Sequence, residues 1–416
     1  MKNIAIIGAG ISGIAAAYLL KNKYNVTIFE SNSYFGGHSN TIMMSINNKN
    51  IPVDTGFIVF NQLTYPNLIN FFKELGVKTY KSEMSFGITI GEGEIEYSGS
   101  SFNKFFAQRK NFFNRSFWRM ALDILRFNKH ASTINLFNIM DVTLEEYVTN
   151  LNLSEEFKNW YLYPMAGAIW STPLEKVGSF PAHSFLQFFR NHGLLKIIDQ
   201  PQWYTVWGGS KEYVSLALKS EKITKYKNCS VKSVKRLENN ISISTQSEGD
   251  FVFDQIIFAT PAYKTLEILD TPSSEEQDIL KCFDYSDNIA YLHSDPSFMP
   301  ERKNVWSSWN YFNSNQNGFG VTYWMNKLQS LPTKQNIFVT LNPLKIPSPS
   351  LTCQKIYYQH PQFDKKAINA QERISEIQGI NNTWFCGSYQ GYGFHEDGFL
   401  SALKVVNQLG VKASWQ

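Results

Sequence analysis

Lys2-Asn3-Ile4-Ala5-Ile6-Ile7-Gly8-Ala9-Gly10-Ile11-Ser12-Gly13 opens the stretch that decides the fold, and the stretch runs on to Glu30. Residues 4–7 form a short, continuous apolar run that reads as a buried strand. Three glycines follow at once, residues 14–20 read as a helix, and Asn25-Val26-Thr27-Ile28-Phe29 reads as a second strand ending on the acid Glu30. This is G-x-G-x-x-G in the turn of a strand–turn–helix–strand unit, the arrangement that binds dinucleotides. Gly8 permits the tight turn, Gly10 lets a pyrophosphate approach the backbone, and Gly13 lets the helix lie close to the strand. The helix N-terminus offers unpaired N–H groups and a positive dipole end to phosphate. Glu30 can accept both hydroxyls of an adenosine ribose and would repel a 2′-phosphate. The competing reading is a signal peptide or membrane anchor, because residues 4–20 are almost wholly apolar. The run is short for a span, has only Lys2 before it, and lacks a small-residue cleavage pattern before Lys21-Asn22-Lys23, so that reading is rejected.

A chain of 416 residues is long for one core, and two domains are expected. With 43% hydrophobic and 18% charged residues it reads as a soluble globular enzyme, expected in the cytoplasm, rather than a disordered or membrane-spanning chain. Net charge +4 gives no reason to expect nucleic acid. The 15% aromatic content points to large apolar pockets or faces. Cys229, Cys282, Cys353 and Cys386 are scattered, so reduced thiols are expected, with no metal site or disulfide framework.

Past Glu30 comes the pair Gly36-Gly37, then His38 and Thr41. Taken alone the pair could be an ordinary turn. Just after a ribose acid it is where FAD sites pass backbone beside the pyrophosphate, which shifts the cofactor from NAD towards FAD. Val53-Asp54-Thr55-Gly56-Phe57 reads as a turn between strands that approaches the flavin. Residues 65–75 read as an amphipathic helix closed by Gly76, and residues 84–90 and 94–97 as a hairpin. Between 102 and 129, seven Lys and Arg residues face a single acid, Asp123, and are interleaved with Phe and Trp. Such a segment can dock on an anionic membrane surface or be a solvated helix face over an aromatic core, and the sequence favours the second. Residues 144–160 and 185–195 read as helices, and 164–170, small and apolar, as a cavity wall. Gly208-Gly209 either lie against cofactor or cap the helix through Leu218. Residues 229–237, 241–245 and 251–258 read as a three-stranded meander ending in Ala259-Thr260-Pro261, where the chain returns to the cofactor domain it left near residue 80. Strands rich in Tyr and Trp at 286–293, 305–312 and 319–325 suggest a second, mostly antiparallel sheet. At the far end, strand 383–386, Gly387-Ser388 and a helix starting at Asp397 or Gly398 repeat the opening pattern, and that helix is expected to aim its positive end at the flavin.

These residues resemble the flavin amine oxidase superfamily, which includes monoamine oxidases, protoporphyrinogen oxidase and phytoene desaturases. Asp54-Thr55-Gly56-Phe57, Trp207-Gly208-Gly209-Ser210, Val321-Thr322-Tyr323-Trp324-Met325-Asn326 and Gly391-Tyr392-Gly393-Phe394-His395-Glu396-Asp397-Gly398 are similar to one subgroup, FAD-binding oxidoreductases associated with cyclopropane fatty-acyl phospholipid synthases. The resemblance implies an α/β fold with a discontinuous Rossmann-like FAD-binding domain (1–80, 200–270 and 380–416) and an inserted α+β substrate domain (81–199 and 271–379). It implies that Gly8, Gly10, Ser12 and Gly13 hold the pyrophosphate, Glu30 the ribose, and Gly36, Gly37, His38 and Thr41 the neighbouring phosphates. Val231 would meet the adenine through its backbone, Gly387 and Ser388 the ribityl and phosphates, and Gly398 and Phe399 the flavin ring. Two positions depart from the superfamily. His38 stands where Arg often follows the glycine pair, which weakens the pyrophosphate clamp. His395 stands where amine oxidases place an aromatic-cage Tyr, which speaks against amine oxidation.

The function implied is FAD-dependent oxidation or reduction of a hydrophobic, fatty-acyl or lipid substrate by hydride transfer to or from flavin N5. His395 is the expected proton-handling residue, able to carry a proton at neutral pH, with Tyr389, Tyr392 and Glu396 orienting it or the substrate. A structural histidine beside the flavin is the other reading of His395. Alternative functions, in order, are a flavin-dependent double-bond isomerase or desaturase, an amine oxidase, and a non-enzymatic lipid-binding carrier of the same fold. Peripheral contact with the inner face of the membrane through 102–129 is the one partner surface suggested.

Overall fold

In the computed structural model the described residues are 1–170, 174–196, 199–314 and 318–416. The opening strand, Lys2–Ile7, is the middle of a five-stranded sheet in which every neighbouring pair is parallel. The order is Ile223–Tyr226, Tyr24–Phe29, Lys2–Ile7, Gln255–Phe258, Thr383–Phe385. Covered on both faces, the central strand is apolar without alternation, and Ile4, Ala5 and Ile6 are fully buried. Helix Ile11–Leu20 is buried along nearly its whole length for the same reason.

The carboxyl ends of these strands finish level. Gly8 N–H donates to Phe29 O at 2.8 Å, Ala259 N–H to Ile7 O at 2.8 Å, and Cys386 N–H to Phe258 O at 2.9 Å. Gly8, Glu30, Ala259 and Gly387 are thereby brought to one edge, where open parallel sheets bind ligands. The last helix, His395–Gln408, packs on the first. A Cβ on Gly398 would lie 2.8 Å from Ile11 Cγ2 and 2.9 Å from Ser12 Oγ. The two ends of the chain therefore share one cofactor edge.

A second sheet of seven strands runs Thr352–Pro361, Tyr285–His293, Phe338–Leu341, Gly318–Trp324, Trp309–Ser314, Phe86–Ile90, Ile95–Ser98. Only the pairing of Trp309–Ser314 with Phe86–Ile90 is parallel. Helices from residues 102–191 cover it with a core rich in phenylalanine.

Several expected boundaries move. The third meander strand is in fact two, because Asp250–Phe253 pairs in the meander while Gln255–Phe258 joins the parallel sheet. The expected helix over 144–160 breaks into Leu144–Asn150, Glu155–Phe157 and a π-helical turn Lys158–Leu162. Residues 164–170 belong to helix Tyr163–Trp170. The expected strand 305–312 begins only at Trp309. Among the described residues no helix is long and apolar enough to cross a membrane, and no group of His, Cys, Asp and Glu could hold a metal ion. All four cysteines are free thiols.

Candidate active site

Helix Ile11–Leu20 begins at Gly10 with extended backbone, no side-chain cap and no acid in its first turn. Its first N–H groups are left for an anion. The three glycines are needed for distinct reasons. Gly8 has φ +99°, and a Cβ on Gly13 would fall 1.9 Å from Gly8 O. A Cβ on Gly10 would meet nothing within 4 Å, so open space lies where a phosphate would come. Gly36 N–H donates to Ala9 O at 2.8 Å, and Gly37 at φ +58° lies against Gly10, its Cβ position 3.1 Å from Gly10 Cα. The second glycine pair thus closes on the first turn.

Glu30 is buried at the strand tip. Oε2 accepts from Ala9 N–H at 2.9 Å and keeps lone-pair capacity for a ribose hydroxyl, whereas Oε1 is already taken by Asn32 N–H at 2.9 Å, Asn32 Nδ2 at 2.8 Å and Ser31 Oγ at 3.3 Å. Cys229 N–H donates to Glu30 O at 2.9 Å, which sets the start of strand Val231–Arg236, and with it Val231, beside the ribose acid. Gly387 N–H is held by Ser401 Oγ at 2.9 Å, and Ser388 lies beside Gly398. This cradle fits FAD: Gly8, Gly10, Ser12, Gly13, Gly36 and Gly37 would hold its pyrophosphate and Glu30 its ribose.

The flavin-proximal residues depart more from expectation. His38 is packed against Tyr358, ring centroids 4.9 Å apart, and against His360 at 5.2 Å. Burial pushes its pKa down to about 4, with a bond to the Gln359 backbone opposing. Its Nε2 is buried with no partner among the described residues. The ring is therefore neutral, and with its proton on the nitrogen that faces the Gln359 carbonyl, Nε2 is a bare acceptor. It can receive an N–H or O–H of the cofactor but cannot clamp a pyrophosphate as arginine does. Thr41 is also reassigned: its hydroxyl donates to Asp54 at 2.5 Å and accepts from Lys211 N–H at 3.0 Å, so it serves the protein's own network. Phe399 is buried against Phe71, ring centroids 5.0 Å apart, so its side chain is core and not a flavin contact.

His395 lies with its ring on Phe57, centroids 3.7 Å apart and planes 13° apart, and Nε2 is 2.8 Å from Ser39 Oγ. Ser39 Oγ in turn is 2.5 Å from the Tyr213 hydroxyl. Burial first, and then His38, lower the His395 pKa well below the ordinary value. The expectation that it carries a proton at neutral pH is corrected: it is a neutral imidazole in a hydrogen-bonded chain. Glu396 is turned away from this chain. It accepts from Asn67 N–H at 3.0 Å, Asn67 Nδ2 at 2.7 Å and Leu68 N–H at 2.9 Å, capping helix Pro66–Leu75. Tyr389 is core, packed on Phe283. Tyr392 does not touch His395 in the hydrogen-bond network but lines a small apolar cavity with Trp170, Phe180, Phe185, Phe363 and Ile368.

The last helix starts at His395, earlier than expected, so Glu396 and Asp397 occupy its first turn. Asp397 accepts from Phe394 N–H at 2.9 Å, and burial raises its pKa to about 7. The helix's positive end is thus partly answered by its own carboxyl group rather than left wholly to the flavin. Sequence reasoning missed Ser39, Tyr213, Tyr358 and His360, none of which belongs to a local pattern. Asp54 was placed in a turn near the flavin. It is a buried hub, accepting from Thr41, from Ser210 N–H at 2.9 Å and from Gln329 Nε2 at 2.7 Å, with its pKa raised to about 6 by burial. Gly209, at φ +89°, lies against Thr41 and Asp54 and so serves this hub.

The family profile for flavin containing amine oxidoreductases matches residues 11–299. The chain belongs to the flavin-containing amine oxidoreductase family. As a member of this family it is an FAD-dependent oxidoreductase, and its mixed α/β, two-domain architecture is that of amine-oxidase-like flavoproteins. Putrescine oxidase bound to putrescine superposes with a TM-score of 0.69 at 17% identity, over 98% of each chain. A CLA-producing fatty acid isomerase from P. acnes superposes at 0.67 with 13% identity, over 99% of each chain. Cyclohexylamine oxidase from Brevibacterium oxydans IH-35A gives 0.66 at 14% identity, over 98% of this chain and 99% of that one. In sequence, the chain is 47% identical over 45 residues to protoporphyrinogen oxidase 2 of Arabidopsis thaliana and 34% identical over 100 residues to amine oxidase A of Sus scrofa. These segments span 11% and 23% of this chain but only 9% and 17% of the two relatives.

Proposed function

We propose that this oxidoreductase acts on a hydrophobic, fatty-acyl or lipid substrate by hydride transfer to or from flavin N5, and that it belongs to the subgroup associated with cyclopropane fatty-acyl phospholipid synthases. The reading divides the chain into an FAD domain of 1–80, 200–270 and 380–416 and a substrate domain from the rest. Its main support is the chemistry of the wall beside Tyr392, which in this structure encloses only about 20 Å³ and would have to part to admit an acyl chain. Trp170, Phe180, Pro181, Phe185, Phe363 and Ile368 are apolar, and Ser184 adds one hydroxyl. The Tyr392 phenol is kept protonated by burial and by Asp397 nearby. No described lining residue is a carboxylate that could receive an ammonium group. Phe394 links this wall to the cofactor edge: its ring stacks on Phe188 at 5.1 Å, and it immediately precedes His395.

Bound in the cradle, FAD supplies the centre that exchanges hydride with a substrate carbon. In this reading the protein's residues orient the cofactor and the substrate. His395, neutral, is fixed in place by its hydrogen bond to Ser39 Oγ, which Tyr213 holds in turn. Tyr392 positions the substrate from the apolar side. Glu396 supports the site only by fixing helix Pro66–Leu75.

The likeness to a fatty acid isomerase favours a second reading, in which a double bond is moved with no net oxidation. One experiment separates the possibilities. The purified flavoprotein is mixed with unsaturated fatty-acyl lipids and, separately, with primary and secondary amines under anaerobic conditions, and then with oxygen. Lipid that bleaches the flavin, with oxygen consumed on reoxidation, supports the oxidase. A shifted double bond with no oxygen uptake supports the isomerase. Bleaching by amines alone would discard both.

A further inference from the structure

We propose that the outward face of helix Arg115–Thr133, with the aromatic turn before it, docks this protein on the surface of an anionic lipid bilayer. The helix is two-sided in an unusual way. Phe117, Met120, Ile124, Phe127 and Ala131 face inward and are buried. The opposite face, at the three- and four-residue spacing of one helix side, is Arg115, Trp118, Arg119, Leu122, Leu125, Arg126 and Lys129, all exposed, before it ends in the exposed Ser132 and Thr133. Water-facing helices normally carry acids and small polar groups on that side. Here every one of these seven positions is either basic or large and apolar.

The apolar members are well exposed: Leu122 at 57%, Leu125 at 52% and Trp118 at 40%. Just before the helix, Phe113 is 93% exposed and Phe102 68%. The rings form one patch, because Phe102, Phe112 and Trp118 all meet the buried ring of Phe106, at 4.9, 4.2 and 5.1 Å. A continuous exposed surface of this kind marks an interaction site.

The charge identifies the partner. Residues 102–129 hold seven of the chain's 39 Lys and Arg and one of its 35 Asp and Glu, so the segment is +6 and the rest of the chain −2. The one acid, Asp123, is buried and bonded to Arg126 at 2.7 Å and to Ser154 N–H at 2.9 Å. Arg119 reaches Glu156 at 3.5 Å. Lys104, Lys110, Arg115 and Lys129 form no ion pair among the described residues. Bulky apolar groups interleaved with uncompensated positive charge fit the headgroup region of an anionic membrane. With four basic residues on its outer face the helix lies on the bilayer and does not span it. The proposal rests on these exposed residues alone and stands apart from the substrate reading. The two are nevertheless compatible in space. Helix Ala182–Asn191, which gives Phe185 to the apolar cavity, is tied to the back of the docking helix by Arg190 Nε donating to Ala131 O at 2.7 Å.

The test is sedimentation of the full flavin-loaded chain with vesicles of phosphatidylcholine alone or mixed equally with phosphatidylglycerol. Binding to the mixed vesicles at low salt, release at high salt, and little binding to phosphatidylcholine are expected. Arg115→Glu with Lys129→Glu, and separately Leu122→Ser with Leu125→Ser, should each weaken binding at least about tenfold, at roughly fivefold per basic residue near the surface. Both variants alter exposed side chains only, so flavin content and melting temperature should not change. A second measurement needs no disruptive variant: brominated lipid should quench tryptophan fluorescence, and Trp118→Phe should remove most of that quenching. No binding to anionic vesicles, or binding that neither double variant weakens, overturns the proposal. So does a dimer in light scattering that Leu122→Ser with Leu125→Ser dissociates, because the patch would then be a self-association face.

Discussion

His38 and His395 illustrate how much one residue's meaning depends on its surroundings. As isolated side chains both would titrate near neutrality. Packed against Tyr358, His360 and Phe57, both are held neutral. FAD binding should therefore show no loss of a cationic clamp between pH 5.5 and 7.5. Flavin fluorescence titrations with wild type and His38→Asn should give parallel pH profiles, and a dissociation constant that weakens steeply above about pH 6.5 in wild type only would count against the neutral assignment. Asp397 behaves in the opposite sense. Its folded pKa of about 7 lies above the ordinary 3.8, so the native state holds a proton that the unfolded chain has lost. Stability from this proton is complete below about pH 3.8 and gone above about pH 7. Asp397→Asn should accordingly gain stability relative to wild type as pH rises from 4 to 7, by on the order of 2–4 kcal/mol, and then level off. Denaturant midpoints across that range measure it. Gly13→Ala, with its Cβ 1.9 Å from a backbone oxygen, should cost about 2 kcal/mol or more and release FAD, read as a lower melting temperature and lost flavin absorbance.

At the scale of elements, helix Pro66–Leu75 shows an end sealed from far away in sequence. Tyr65 gives no side-chain cap, and the carboxylate of Glu396, 329 residues from Asn67, takes that place. Glu396→Ala should cost about 1–3 kcal/mol through the unpaired N–H groups, while Glu396→Gln, which keeps one acceptor, should cost less. Both variants should retain a native flavin spectrum, because the residue serves the helix and not the chemistry. A spectrum altered in the Gln variant would return Glu396 to the site. The helix at 115–133 makes a related point. Its four Lys and Arg residues and its aromatics were visible in sequence, but which of them face outward was not, and the docking proposal rests on that exposure.

Across the whole molecule, several histidines are buried neutral. Desolvation lowers His38, His192 and His293 to about 4 and His360 to about 3, while Asp54 and Asp397 are raised. Each histidine binds a proton more readily when unfolded, so its contribution to stability is lost as pH falls from about 6.5 through 4. The histidines outnumber the raised carboxyls, and the unfolding midpoint should drop steadily over that range. A midpoint that held flat to pH 4.5 would mean that these rings are not desolvated as packed. The pyrophosphate turn, Glu30 and the second glycine pair were legible from sequence because each is a local requirement, met within a few residues by backbone sterics and one acid. The Asp54 hub was not: its ligands come from residues 41, 210 and 329, and nothing in any one segment announces the others.

From its sequence alone, this chain was committed to a dinucleotide fold whose first and last glycine turns meet at one sheet edge. Glycine conformation, apolar strand runs and helix polarity act over short distances and leave a local record. Which histidines are charged, which carboxyl groups serve a helix end and which aromatic residues face water were decided only by tertiary structure. Desolvation and hydrogen-bond satisfaction depend on neighbours that arrive from hundreds of residues away.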